Sequence, residues 1–251
     1  MFEVLVKDSD GVRTLTLNRP NKRNALNDQL ISALSNSLRD AESDESLRAI
    51  VIRGAGTDFC SGADLSSLQK IADSSYEENL DDAKQLMDLY VQIRKTSVPV
   101  IAAVHGRALA GGAGLATACD IVLAARSARF GYPEVKIGFV PAMVMAILRR
   151  NIGEKTAFEL STQGFEFSAE RALELGLVNH VYDDNEFDQR LAEYVSIYTK
   201  VSSSAVRLTK RLLYQMDGLN FEKAILAGAE TNAEARMTED CKKGIAVFLK
   251  K

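Results

Sequence analysis

Two glycine-bearing segments and one acid form a pattern that could do chemistry. The segments are Phe59–Leu65 (FCSGADL) and Gly106–Asp120 (GRALAGGAGLATACD), and the acid is Glu134 in Phe130–Glu134 (FGYPE). Each glycine segment reads as a strand end followed by a helix start. The first N–H groups of a helix lack partners inside it and sit at the positive end of its dipole. Two such donors aimed at one point make an oxyanion hole, suited to a carbonyl oxygen that gains negative charge as an enolate forms. A proton must then move, and Glu134 is the candidate carrier. It follows a proline and precedes the mostly apolar run Val135, Ile137, Gly138, Phe139 and Val140. Such surroundings disfavour the charged carboxylate and raise its pKa, toward the range a proton shuttle uses near neutral pH.

Each of these features also has a plainer reading. Ala110–Gly114 (AGGAG) is nearly bare of side chains. Either a ligand touches this backbone, or a helix packs closely on a sheet. A glycine inside a helix costs about 1 kcal/mol relative to alanine, so three of them imply a compensating need. Neither GxxxxGK[ST] nor GxGxxG is present, which excludes the usual phosphate and dinucleotide loops. Gly62 and Ala63 could simply turn the chain, and Asp64 could be an ordinary helix cap. Glu134 could be one more exposed glutamate. Lys22 and Arg23 follow Pro20 in a polar turn, where they could meet an anion or only water. Cys60 has no nucleophile elbow or nearby histidine and reads as a small buried residue. His105 reads as a strand-end or core histidine.

The elements that would position these groups follow from hydrophobic periodicity. Phe2–Lys7 and Val12–Leu17 alternate around Asp10-Gly11, which predicts a hairpin. Asn27 can cap a helix that runs through Leu30, Ile31, Leu34 and Leu38. Ala49–Ile52, Val98–Val104 and Ile121–Ala124 are short apolar runs suited to buried strands. Strands separated by helices predict a layered α/β core with crossover connections. Asp73–Asp82 (DSSYEENLDD) reads as an acidic surface loop leading into a helix over Ala83–Lys95. From Pro141 onward the pattern is mostly helical, with a short strand at Leu177–Val181.

Composition narrows the function class. A 251-residue chain with 46% hydrophobic residues fits one medium domain, or one domain plus a helical appendage. A net charge of −3 gives no general attraction to nucleic acid or anionic membranes. Three widely spaced cysteines point to a reducing compartment and no disulfide framework. With two histidines and no CxxC or HxxxH spacing, a histidine-based metal site is not expected. Met1–Lys7 reads as a strand and not as a signal peptide, and no apolar run is long enough to span a bilayer.

Five segments in order resemble the enoyl-CoA hydratase/isomerase, or crotonase, family. They are Asn18–Asn27 (NRPNKRNALN), Phe59–Leu65, Gly106–Asp120, Pro133–Pro141 (PEVKIGFVP) and Ser168–Val181 (SAERALELGLVNHV), and the likeness covers essentially the whole chain. The resemblance implies an α/β fold, a crotonase-type spiral of β/α units over residues 1–195. It implies a C-terminal helical region over residues 196–251 that packs homotrimers, often paired into hexamers. It implies an acyl-CoA thioester substrate and no metal, so that no cofactor is expected apart from the coenzyme A of that substrate; with the composition, the expectation is a cytoplasmic enzyme with no membrane or nucleic-acid partner. By motif position, the oxyanion donors are the backbone N–H groups of Ala63 and Gly111, and Glu134 carries the proton. Coenzyme A would lie near Lys22, Arg23, Ala25 and the helix start at Asp64-Leu65. Gly112 and Gly114 would line the substrate, and Phe248 and Lys251 match positions that approach coenzyme A in some relatives.

One departure bears on mechanism. Hydratases resembling this chain carry two glutamates that bracket a water, and the first falls at Gly114 here. A single glutamate resembles the enoyl-CoA isomerases. Ala142, eight residues beyond Glu134, stands where dienoyl-CoA isomerases have a further acid. These features favour double-bond isomerisation and predict room beside Gly114 for a water or a bulkier acyl group. Hydration through Glu134 alone and a non-catalytic acyl-CoA-binding role are the alternatives. RNA binding, which some relatives show, finds no basic stripe here, because the first long helix (Asp28–Asp44) has only Arg39 as a cation.

Overall fold

Parallel strands buried on both faces form the centre of the computed structural model, which describes residues 2–250. In chain order the strands are β1 (Val4–Ser9), β2 (Val12–Leu17), β3 (Ala49–Gly54), β4 (Val100–Val104), β5 (Arg107–Leu109), β6 (Ile121–Ala125), β7 (Arg129–Gly131), β8 (Glu166–Ser168) and β9 (His180–Tyr182). The helices are α1 (Asp28–Glu42), α2 (Leu65–Asp73), α3 (Tyr76–Lys95), α4 (Gly111–Ala118), α5 (Ala142–Asn151), α6 (Glu154–Gln163), α7 (Ala169–Glu174), α8 (Phe187–Val195), α9 (Ser203–Gln215), α10 (Phe221–Met237) and α11 (Glu239–Phe248).

The main sheet has the order β1-β2-β3-β4-β6-β9, antiparallel only at the β1–β2 hairpin. Alternation along the strands sends Ala49, Val51, Ile101, Ala103, Leu123 and Ala125 to one face, where Phe187, Leu191 and Val195 of α8 cover them. The other face carries Ile50, Ile52, Val100, Ala102 and Val104 into the larger core with Leu30, Leu34 and Leu38 of α1. This two-sided burial explains why these strands read as continuous apolar runs. A second sheet, β5-β7-β8, stands beside the first. Its parallel pair β5–β7 sets Leu109 opposite Gly131.

The C-terminal region is helical and tied to the core by a buried ion pair. Lys210 on α9 donates to the carbonyls of Ile93 and Val98 and to Asp120 Oδ2 at 2.6 Å. Tyr214 Oη donates to the other Asp120 oxygen at 2.7 Å. Burial lowers the Lys210 pKa, opposed by the attraction of Asp120. A buried ammonium is tolerable because all three of its protons are used.

The stretch 76–82 is not loop but the first two turns of α3. Ser75 accepts from Glu78 N while the Glu78 carboxylate accepts from Ser75 N, a complete capping box. Strand β8, with three residues, was not anticipated. It forms because β7 offers an antiparallel edge, with Phe167 opposite Phe130. The short strand predicted at 177–181 lies at His180–Tyr182. Among the described residues no helix is long and apolar enough to cross a membrane.

Candidate active site

The turn after β2 is the first part of the site. Its buried Asn24 accepts from Arg19 N and donates to the carbonyls of Ala55 and Asp58, at 2.8 to 2.9 Å. Arg23 and Asn24 both take left-handed φ angles, 49° and 53°. This pinned turn leaves Lys22 and Arg23 exposed and Ala25 buried. Arg23 O accepts from Ser61 N at 3.0 Å, so the cations stand beside the 59–64 segment.

That segment runs between two others. Cys60 bridges Ala108 on one side, and Ala63 bridges Leu26 on the other. Around Ala63 the bonds are Leu26 N to Gly62 O and Asp64 N to Leu26 O. In this parallel pattern the N–H of Ala63 itself turns away from Leu26. It has no acceptor among the described residues. Gly62 just before it has φ +97°, a region an L side chain rarely adopts, and a Cβ there would lie 2.9 Å from the Ala110 Cβ and 3.8 Å from Gly111 N. The Ala63 and Gly111 segments are therefore in direct contact.

Gly111 opens α4 as its first helical residue, and its N–H also lacks an acceptor among the described residues. Ala110 N donates to Gly131 O at 2.9 Å, which ties the helix start to the end of β7. Ala110 itself has φ 51° and ψ −125°, a strained conformation for a residue with a Cβ. The other two glycines of the run serve close packing. A Cβ on Gly112 would fall 2.2 Å from Cys60 O. At Gly114 it would meet Tyr90 Oη at 2.5 Å and Val144 Cγ2 at 2.7 Å.

The expectation of open space beside Gly114 is thus wrong. Tyr90 from α3 and Val144 from α5 fill the place, and both are buried. Tyr90 Oη donates to Gly111 O at 2.7 Å. Burial, with a smaller contribution from the Glu134 charge, holds its phenol well above its ordinary pKa, so it is a neutral hydroxyl. Tyr132 is fully buried; burial raises its phenol and the neighbouring Thr117 opposes the rise, and its Oη makes no hydrogen bond of good geometry among the described residues.

Glu134 lies in the short 3-10 turn Pro133–Ile137 that follows β7. The β5–β7 pairing and the Ala110–Gly131 bond bring this turn beside the start of α4. Its carboxyl is partly buried, and Oε2 is sealed from solvent with no hydrogen-bond partner among the described residues. Burial raises its pKa, offset in part by its own backbone N–H. Glu3 Oε2 and Asp64 Oδ2 also lack hydrogen bonds, but each faces the Arg19 guanidinium, whereas Glu134 has no ion pair among the described residues, the condition a proton carrier requires. Asp64 contrasts with it. Its carboxylate caps α2 through Ser66 N at 3.0 Å and pairs with Arg19 at 2.7 Å. The Ser66 backbone bond and then the Arg19 guanidinium hold its pKa at about 2. Asp64 is therefore occupied as a cap, and what it offers a ligand is the helix start behind it, where Leu65 is the first residue.

Cys60 is fully buried with its thiol pushed up to about 12 by burial, and so is inert. Phe248 is exposed near the end of α11, which packs on α9 and α10, and Lys251 lies outside the described residues. Among the described residues no cluster of His, Cys, Asp or Glu could hold a metal. Tyr90 and Tyr132 were not foreseen. An aromatic at helical spacing with Leu89 and Ile93 reads as core, and nothing local shows where its hydroxyl goes.

Comparison with known proteins bears on the family and the fold. The enoyl-CoA hydratase/isomerase family profile matches residues 7–251. A Thermus thermophilus protein described as "Putative enoyl-CoA hydratase" is 40% identical over 96% of this chain and 95% of its own length. The 2,3-dehydroadipyl-CoA hydratase of Escherichia coli is 33% identical, covering 100% of this chain and 97% of the relative. The crystal structure of an enoyl-CoA hydratase from Mycobacterium smegmatis superposes with a TM-score of 0.95 at 34% identity, over 99% of this chain and 96% of that one. With the fold, the order of the motifs and the full-length matches in agreement, the chain belongs to the enoyl-CoA hydratase/isomerase family and has the crotonase fold.

Proposed function

We infer that this enzyme moves the double bond of an enoyl-CoA thioester, with Glu134 as the only proton carrier. The packing of Tyr90 and Val144 against Gly114 carries this reading, because it leaves no space for a second acid. The thioester oxygen accepts from the N–H groups of Ala63 and Gly111. Each donor contributes about 3 kcal/mol to the transition state, by the scale of known oxyanion holes. Carboxylate Glu134 takes a proton from C2 of a 3-enoyl thioester. The C–H electron pair moves into the C1–C2 bond and charge collects on the thioester oxygen as a dienolate. The same carboxyl returns the proton to C4, and the double bond ends between C2 and C3. Coenzyme A lies along the exposed Lys22 and Arg23, Ala25 and the start of α2. Phe248 and Lys251 are further contacts from the C-terminal end. No cofactor beyond the substrate's own coenzyme A enters this scheme.

The second reading is hydration of a 2-enoyl-CoA by Glu134 alone, and the relatives described as hydratases favour it. Here Glu134 takes a proton from the water that adds at C3 and delivers it to C2. Crotonyl-CoA and a 3-enoyl-CoA, incubated separately with product analysis, separate the two. Fast migration with slow hydration is the expected result. Efficient hydration without migration would overturn the isomerase preference. Apolar side chains exposed on α9–α11, among them Leu213, Phe221, Ile225, Leu226 and Val247, support a homotrimer or paired trimers, which light scattering can test. The free cysteines support a reducing compartment, the cytoplasm.

A further inference from the structure

We propose that Tyr90 is the positioning residue for the Gly111 donor, and that its hydroxyl replaces the missing acid in space but not in chemistry. This rests on the oxyanion reading above. The phenol has one proton, and it is given to Gly111 O at 2.7 Å. The oxygen therefore faces Gly114 with lone pairs only and can donate nothing to substrate. Burial keeps it un-ionised, so it is no base either. What remains for it is to hold a peptide in place.

Gly111 needs such a hold. It has no Cβ, so its own backbone preference is weak. It follows Ala110, which is strained at φ 51°. An oxyanion donor works only if its direction is set before the charge appears. The Tyr90 bond fixes the carbonyl side of Gly111, and the Ala110–Gly131 bond fixes the residue before it. The donor N–H lies between these two anchors. Gly114 is glycine because the anchoring phenol comes to 2.5 Å of where a Cβ would stand. An acid at that position and a phenol on Gly111 exclude one another.

The test is Tyr90→Phe, which keeps the ring and removes the bond. Two readouts are used: steady-state kinetics on whichever enoyl-CoA wild type turns over, and the ultraviolet band of enolate formed from bound acetoacetyl-CoA. The expected result is a fall of about tenfold in kcat with KM changed less than twofold, and a similar fall in the bound enolate-to-keto ratio, the size of one lost hydrogen bond. Tyr214→Phe, which removes a partly buried phenol bond to Asp120, beyond the opposite end of α4 from Gly111, serves as the control for general loosening. It should leave the band unchanged. An unchanged band and kcat in folded Tyr90→Phe overturn the proposal. So does a rise in KM with kcat retained, or an equal effect of Tyr214→Phe. A wild type that forms the enolate without moving a double bond sinks the isomerase reading alone, because the band still tests Tyr90. A wild type that forms no enolate sinks the oxyanion reading and this proposal together.

Discussion

Asp64 and Glu134 each begin a helical turn close to one of the two unpaired N–H donors, and their surroundings are opposite. Asp64 follows Ala63, and both its oxygens face partners: Oδ1 accepts from Ser66 N and Ser66 Oγ, and Oδ2 stands 2.7 Å from the Arg19 guanidinium. Glu134 follows β7, whose last residue anchors the Gly111 helix start, and keeps one buried oxygen unpaired. One carboxyl is held at about 2, and the other is pushed above its ordinary value. Hydrogen bonds given to the charged form lower a pKa, and burial without them raises it. Position beside a donor is shared, so partners decide which acid stabilises the fold and which can exchange a proton.

The strongest way to break this contrast is Glu134→Gln. Turnover should fall by about two to four orders of magnitude, with acyl-CoA binding largely kept. Stability should move the other way. The folded-state pKa of Glu134 is raised, so its stabilising contribution is full below the unfolded value and is lost as pH rises through the folded value. At neutral pH the ionised carboxyl is a burden on the fold. Glu134→Gln should therefore melt above wild type at neutral pH, and the gap should shrink in acid. A variant both active and less stable at neutral pH contradicts the assignment.

Gly114→Glu probes the crowded side of the same centre. The added side chain must displace Tyr90 or Val144, so a loss of about 3 kcal/mol is expected from overpacking. No gain in hydration should accompany it. Combining it with Tyr90→Ala should recover part of that stability, since the two side chains compete for one space. Additive losses in a double-mutant cycle would show that the clash has been misread.

Much of this arrangement was visible in the chain. Asn27 caps α1 through Leu30 N as its side chain suggests, and the apolar runs at 49–52, 98–104 and 121–124 are β3, β4 and β6. A helix start within the 106–120 glycine segment and the acid in its apolar turn were readable from local residue types, while Gly111 as the donor came from the family resemblance. Three features were not. Strand β8 is too short for periodicity to register, and it exists only by pairing with β7. The first turns of α3 were hidden by their acidic composition, although Ser75 and Glu78 spell a capping box. Tyr90 was hidden because its bond joins residues 21 apart through packing alone. The run of glycines showed that something came close, and only the fold shows that it is a phenol and a carbonyl.

Asp64→Asn tests the other half of the contrast. Asparagine is a good cap, so the main loss is the negative charge, which the Ser66 N–H and then Arg19 stabilise. The folded-state pKa of Asp64 is lowered, so its contribution is present above the unfolded value of 3.8 and is lost as pH falls toward about 2. At neutral pH the variant should be less stable by about 2 kcal/mol, with kcat changed much less than in Glu134→Gln. Melts at pH 7 and pH 3 should show the deficit narrowing in acid. A deficit independent of pH would assign the loss to side-chain geometry rather than to the carboxylate's charge.

The smallest expected effect belongs to Ala110, the strained residue between β5 and the Gly111 donor. A residue with a Cβ at φ 51° and ψ −125° carries about 1–3 kcal/mol of strain. Glycine removes that strain and loses about 0.5–1 kcal/mol through the freedom it adds to the unfolded chain. Ala110→Gly should therefore gain about 1 kcal/mol, which for a chain of this size raises Tm by about 2–4 °C. The methyl group also sits opposite Gly62, where it helps keep the two donor segments at a fixed spacing. If that contact aims Gly111, the more stable variant should turn over more slowly, by less than the tenfold expected for Tyr90→Phe. A gain in Tm with unchanged kcat would assign all of the aiming to the bonds of Tyr90 and Gly131. A fall in Tm would mean that the Ala110 methyl stabilises more through packing than its backbone loses through strain.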